Sequence, residues 1–412
     1  MGDRAVNRFA SFVVALAALV ASEEAAAQFP FKHHLGDPDL KGRNMGQADL
    51  ADLTANGKLE FITGEQGGDI FWYEYRAPDR WVRHVLGRKS PSDVGGAAMD
   101  VNGNGRVDFV TGGAWYENPG NPAEQEFTRH VFDPDLNSVH DVVLGDVDGD
   151  GKLDVVTMAD TRAVPTNELR WYKIPDDPTE RWAVTRIGDP THAGVSLGDI
   201  DGDGDLDVVR SNVWFENLGR GRTWGMHKMT EPWGAASPAF AVNATKTQTA
   251  DLNGDGRLDV VICDAENANS KIAWLEAPDD PREGDWKIHP LPRSDDDPRG
   301  ALHSLRLADF NNDGRLEILA VEMERFRGKR PPRWFLWQNV DGKGTFVEHV
   351  ILDANLGGHE TVVGDVDGDG DVDICSKPWS PYPGNAIGGR SHFSYLENLT
   401  IQAPGARPRT GR

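Results

Sequence analysis

Three histidines share one position relative to an acidic loop. His140, His303 and His359 each stand six residues ahead of the aspartate that opens such a loop, Asp146, Asp309 and Asp365. His192 stands seven ahead of Asp199, and Lys246 five ahead of Asp251. Past the loops, Glu65, Asn212, Asp264 and Glu322 each lie thirteen residues after the opening aspartate, and Asp160, Lys377 and Glu266 lie close to that register. Imidazoles and carboxylates gathered at one point bind Zn2+ or a similar transition metal with an open position. Such an ion polarises a carbonyl or carboxylate oxygen. His140, His192, His303 and His359 are therefore candidate ligands of one transition metal, provided the fold brings them together. The bland alternative is a water-filled channel lined with polar groups.

The acidic loops say what the fold must be. HDVVLGDVDGDGKLDVVTM, His140 to Met158, contains one of seven, and the opening aspartates recur at intervals of 46 to 58 residues. Each loop reads D-x-[DNT]-x-[DN]-G-x-x-[DE]. Alternate side chains of a tight turn face inward, the glycine permits the positive φ of the bend, and the last acid reaches back from the next strand. Hard oxygen donors at this density suit Ca2+. The expected ligands are Asp52, Asn56 and Glu60; Asp100, Asn102, Asn104 and Asp108; Asp146, Asp148, Asp150 and Asp154; and Asp199, Asp201, Asp203 and Asp207. They continue with Asp251, Asn253, Asp255 and Asp259; Asp309, Asn311, Asp313 and Glu317; and Asp365, Asp367, Asp369 and Asp373. Up to seven structural calcium ions are expected, with the first two loops the poorest in acids.

Each loop joins two apolar strands, as in VVLGDV and LDVVTM. A third strand with an aromatic and often Glu-Asn follows (FWYEY, AWYEN, VWFEN), and then a fourth of the form [Trp/Phe]-x-x-His. Four short strands per about fifty residues mark a propeller blade. The mature chain opens on FPFKHHLGD, a fourth-strand pattern, and the seventh repeat stops after its third strand at SYLENL. The expectation is an all-β, seven-bladed β-propeller over residues 29–400, its ring closed by the N-terminal strand in the last blade. His34, His84, His130, His227, His289 and His349 all fill the fourth-strand slot, and that recurrence marks them as packing groups.

Residues 1–27 read as a signal peptide: Arg4 and Arg8, then an apolar run from Phe9 to Val20, then Ala25 to Ala27. Export to the periplasm or medium of a bacterium is the expectation. The run is too short to span a membrane. Residues 401–412 read as a disordered tail. Cys263 and Cys375 lie in apolar strands of separate repeats and read as buried free thiols. A net charge of −23 argues against nucleic acid as partner and for bound cations.

At this point the repeats resemble the FG-GAP/VCBS class of calcium-binding propeller repeats, similar to the head of integrin α subunits. Similar propellers form the catalytic domains of secreted polysaccharide lyases and of fungal aldos-2-ulose dehydratases. The resemblance covers nearly all of the mature chain. It implies the fold and calcium, and it leaves catalysis or binding open.

The loops leaving the second strands of blades six and seven are long. EMERFRGKRPPRW carries Arg325 and Arg327 beside Glu322, a basic patch suited to a carboxylated or sulfated sugar. SKPWSPYPGNAIGGRSH supplies Lys377, Trp379, Tyr382 and Arg390, and aromatics there can stack on a sugar ring. EPWGAASPAFAVNATKT, leading into blade five, adds Trp233. The leading expectation is a carbon–oxygen lyase or dehydratase acting on carbohydrate by metal-assisted β-elimination. A histidine, Lys246 or Tyr382 takes the proton, and an acid such as Glu322 protonates the leaving oxygen. The alternative is a non-catalytic propeller that binds glycans or proteins at the cell surface, a role with no need of three imidazoles in one register. A quinoprotein-type oxidoreductase ranks below both, since neither its tryptophan repeat nor a CxxCH haem motif is present.

Overall fold

The computed structural model describes residues 29–159, 168–233, 244–324 and 330–401. Residues 1–27, expected to be a signal peptide, nearly all of the C-terminal tail, Asp160, Arg325 and Arg327 lie outside them. Every regular element among the described residues is a strand, and the strands form seven four-stranded antiparallel sheets. No helix among the described residues is long and apolar enough to cross a membrane.

Each sheet is one blade. In blade three the first strand (Val139–Gly145) pairs with the second (Asp154–Ala159), then come Leu169–Lys173 and Ala183–Gly188. The seven first strands pack side by side in a closed ring around the axis. The second strands are continuous apolar runs because neighbouring blades cover both faces; every residue of Asp154–Ala159 and of Asp259–Asp264 is buried. Fourth strands lie at the outer edge and are largely exposed, as in Thr128–Val131.

The N-terminal strand Lys32–Asp37 pairs antiparallel with Phe393–Glu397 and completes blade seven. Seven main core clusters result, one at each blade interface. The closing interface, between blades seven and one, stacks Phe61 on Phe393 with ring centroids 4.3 Å apart. Burying such side chains contributes roughly 1.5–3 kcal/mol each. Gly194, with φ +87°, lets blades four and five approach, since a Cβ there would lie 2.1 Å from the Thr245 carbonyl oxygen.

The fourth-strand histidines are structural. His84, His130, His227 and His289 stack on Trp72, Trp115, Trp214 and Trp274, with centroids 4.2 to 4.6 Å apart. Each also meets the glutamate of its own third strand: Glu74, Glu117, Glu216 and Glu276. His34 meets Glu397 in the same way, and His349 meets Gln338. Both cysteines are free and buried.

Candidate functional site

The first strands of blades three, six and seven are each broken by a bulge at the axis end. The pairing passes from Val139 to Asp141 around His140, and from Leu302 to Ser304 around His303. In blade seven it passes from His359 to Val362, with Glu360 at φ +52°. A bulge turns consecutive side chains to one face. Histidine and the acid beside it therefore enter the channel together: His140 with Asp141, and His359 with Glu360. In blade five the strand is regular, and Lys246, five residues before its loop, holds the same position as Asp141 and Glu360.

The imidazoles converge. His140 and His192 have ring centroids 4.5 Å apart, His140 and His303 5.4 Å, and His303 and His359 stack at 3.9 Å. All four are almost completely buried. Nε2 of His303 lies 3.2 Å from Glu266 and its Nδ1 3.3 Å from Glu360, at angles too oblique for good hydrogen bonds. His192 lies 4.0 Å from the same Glu266 oxygen. Nδ1 of His140 meets Asp141 Oδ2 at 2.9 Å.

Beside the imidazoles runs a layer of charge. Lys246 Nζ donates to Glu360 and, at 3.3 Å, to Asp141, linking blades three, five and seven across the axis. Arg306 adds a second cation 3.8 Å from Glu360. Burial opposes charge on Glu360, yet Lys246 and His303 hold its carboxyl well below the usual range. Asp141 is likewise held at about 2 against burial, by Lys246 and His140. Burial disfavours charge on His303 too, but Glu266 and Glu360 prevail and raise it. His359 goes the other way, neutral because it is buried beside His303, Lys377 and Lys246. Lys377, fully buried, is brought down to about 7 by burial. Its Nζ donates to the Met45 carbonyl and, at 2.9 Å, to that of Gly46, and lies 3.4 Å from His359 Nδ1. A channel cavity of about 140 Å³ is lined by His140, Asp141, Lys246, Gln248, Arg306 and Glu360, among others.

The structure thus brings together His140, His192, His303, His359, Lys246, Lys377 and, with its ring 5.0 Å from His359, Trp379. It does not bring Glu322 or Tyr382 to them. Glu322 accepts from Arg330 at 2.7 Å and from the backbone N–H groups of Gly300 and Arg333, so its oxygens are spent tying loops together. The Tyr382 hydroxyl donates to the Asn355 carbonyl at 2.7 Å and accepts from Gly357 N–H. Arg390 folds onto the Ile387 carbonyl of its own exposed loop. Lys377 was expected to hold substrate; it lies instead fully buried among backbone carbonyls and His359. Sequence reasoning passed over Asp141, Glu360 and Arg306. The signal was there in the His-Asp and His-Glu pairs, one residue closer to the loop than the histidines and level with Lys246.

Nδ1 or Nε2 of His303 and of His359, with a Glu360 oxygen, all lie within 4.8 Å of one another. The His303 nitrogens, buried without good hydrogen bonds, together with the buried His359 imidazole and Glu360 carboxylate, fit a borderline transition metal. The acidic loops form a second class. In blades three, four and seven, three carboxylates lie within the same limit: Asp146, Asp148 and Asp154; Asp199, Asp201 and Asp203; Asp365, Asp367 and Asp373. In all seven loops the last acid accepts the N–H of the residue after the opening aspartate, as Asp154 does from Val147. Burial, reinforced by neighbouring carboxylates, raises Asp373 and Glu317 to about 8, and Glu60 and Asp207 to about 7.

A family model described as an FG-GAP-like repeat matches residues 100–157, 251–320 and 309–376. The chain carries FG-GAP-like repeats. The aldos-2-ulose dehydratase of Phanerodontia chrysosporium is 25% identical to this chain over 189 residues, which is 37% of this chain and 21% of that protein. The chain therefore matches about a fifth of that relative's length. Among solved structures, an Agrocybe aegerita lectin described as recognising non-reducing terminal N-acetylglucosamine superposes with a TM-score of 0.50 at 17% identity, over 86% of this chain and 85% of that one. The BBS1N chain crystallised with ARL6DN superposes with a TM-score of 0.54 at 8% identity, over 93% and 98%. At such identities the two structures share the propeller fold with these repeats, and nothing more follows from them.

Proposed function

We propose that this FG-GAP-like propeller is an exported, calcium-stabilised carbon–oxygen lyase or dehydratase acting on carbohydrate by elimination at the channel axis. The observation that carries the reading is the gathering of His303, His359 and Glu360 donor atoms between two buried lysines, Lys246 and Lys377. A divalent transition metal held by those three residues would supply Lewis-acid polarisation of a substrate carboxylate or keto oxygen. The chain's own groups account for the proton transfers. His140, held through Nδ1 by Asp141 and part of the cavity lining, can take the proton next to the polarised group and return one to the leaving oxygen. Lys246 and Arg306 place positive charge where an anionic sugar would bring negative charge. The partial match to a sugar dehydratase supports a carbohydrate substrate.

Calcium in the acidic loops belongs to the same proposal. Oxygen-only donor sets, gathered to within 4.8 Å in blades four and seven, are the chemistry that ion prefers. Export rests on the leader-like residues 1–27.

One observation favours a glycan-binding role instead: every imidazole of the cluster is closed off from solvent, as in a structural plug. The test is incubation with polyuronates and keto-sugars while absorbance of a newly formed conjugated double bond is followed. Chelator-sensitive appearance of that chromophore, lost in His303→Ala, is the expected result. Glycan binding without any product from either class would overturn the enzymatic reading.

A further inference from the structure

The third strands end on a repeated acid, Glu74, Glu117, Glu216, Glu276 and Glu397, with Gln338 in blade six. Blade three alone reverses the charge, placing Lys173 at this position. Its partner changes too. Where Trp115 pairs with His130 and Trp214 with His227, Trp171 pairs with Thr185. The glutamate elsewhere holds the fourth-strand histidine; with Thr185 opposite, Lys173 has no such duty.

This position borders the acidic loop. In blade two, Glu117 accepts from Asn102, the third residue of its loop, at 3.0 Å. In blade three, Lys173 Nζ donates to Asp148, the third residue, and to Asp150, the fifth, at 2.6 Å. One ammonium thus bridges two of the four carboxylates that would otherwise surround a cation. Other loops have nearby cations of a different kind. Arg257 and Arg315 each pair with a single loop acid, Asp255 and Asp313. Arg282 meets Asp201 but is shared with Glu216. Among the described residues, no other side-chain cation bonds two ligand carboxylates of one loop.

We infer that Lys173 is the built-in counter-ion of the blade-three loop, so that this loop, one of the richest in aspartate, is held by its own ammonium and takes no calcium. The inference rests on the calcium reading of the other loops. A calcium ion and an ammonium compete for the same oxygens, and the tethered ammonium weakens the apparent calcium affinity in proportion to its effective concentration there. Acid count alone ranks this loop among the strongest; its neighbour in the fold reverses that rank.

The test is equilibrium dialysis of the full mature chain against calcium chloride, counting bound ions per chain. Asp148→Asn/Asp150→Asn is expected to leave the wild-type count unchanged, whereas Lys173→Glu raises it by one. Lys173→Gln, with the side chain blade six uses, gives the same gain and guards against misfolding of the more acidic variant. Terbium luminescence sensitised by the adjacent Trp171 locates the new ion. A count that falls by one in Asp148→Asn/Asp150→Asn overturns the inference, as does the absence of a gain in both Lys173 variants. Asp365→Asn/Asp373→Asn in blade seven is the control: if it removes no ion and the wild type binds none, the calcium reading itself has failed.

Discussion

Consider the metal-free protein between about pH 6.5 and pH 7.5. Asp373 and Glu317 are held at about 8 by burial and by the carboxylates beside them, far above their unfolded values. In this window the folded chain keeps two protons that the unfolded chain has lost. A folded-state pKa raised in this way contributes stability at low pH that disappears as pH climbs from the unfolded value through the folded one. Each such proton costs about 1.4 kcal/mol per pH unit, so the pair gives a fall of about 3 kcal/mol per unit. Glu60 and Asp207, at about 7, steepen the slope, while Lys377, depressed to about 7, offsets part of it. His33 and His392, lowered by burial to about 4 and about 3, act mainly at lower pH. For a domain of this size the expected drop in Tm is roughly 3 to 6 °C. Scanning calorimetry of chelator-treated protein at the two pH values measures it. Added calcium, by keeping the carboxylates ionised, should flatten the dependence, and Asp373→Asn should reduce the slope by about half. A Tm that rises with pH in chelator, or a slope that calcium leaves untouched, would refute the reasoning.

Four further outcomes follow from the packing. Lys246→Met leaves Asp141 and Glu360 buried without their shared cation and should cost about 3–5 kcal/mol in urea unfolding, much of it recovered in Lys246→Met/Glu360→Gln. Trp214→Ala should cost about 3–5 kcal/mol through the cavity it leaves between blades four and five. His227→Ala, on the stack's outer side, should cost only about 1 kcal/mol and leave any activity intact; loss of activity there would contradict the structural role of the fourth-strand histidines. Gly36→Val would set a Cβ 2.6 Å from the Phe393 ring at the ring closure. It should destabilise by about 1–3 kcal/mol and show earliest as tryptic cleavage near Lys32.

The blade count, the closing role of Lys32–Asp37 and the packing role of the outer histidines were all legible in the sequence, because each rests on a pattern repeated seven or six times. The channel cluster was legible only in part. Strict alternation along a strand made His192 and Lys246 look misplaced by one residue. The bulges around His140, His303 and His359 remove that objection for Lys246, whereas His192 lies ahead of its strand, Val195–Gly198, where alternation does not apply. The same bulges hid Asp141 and Glu360, which alternation would point away from the axis. Glu322 was placed by register alone, and register does not show that Arg330 and two backbone N–H groups would claim its oxygens. Lys173 stood in plain view as the odd member of its column, but its meaning depends on a neighbour 25 residues back in the chain, Asp148.

The account turns on whether a metal sits at the axis. Elemental analysis of the protein, exchanged into calcium buffer without chelator, should find about one equivalent of zinc or another transition metal per chain, as expected for a buried three-ligand His/carboxylate site. The metal should vanish in His303→Ala/His359→Ala while calcium is retained. Calcium alone in both proteins would contradict the metal-centred reading and leave the channel histidines as part of a rigid glycan-binding scaffold.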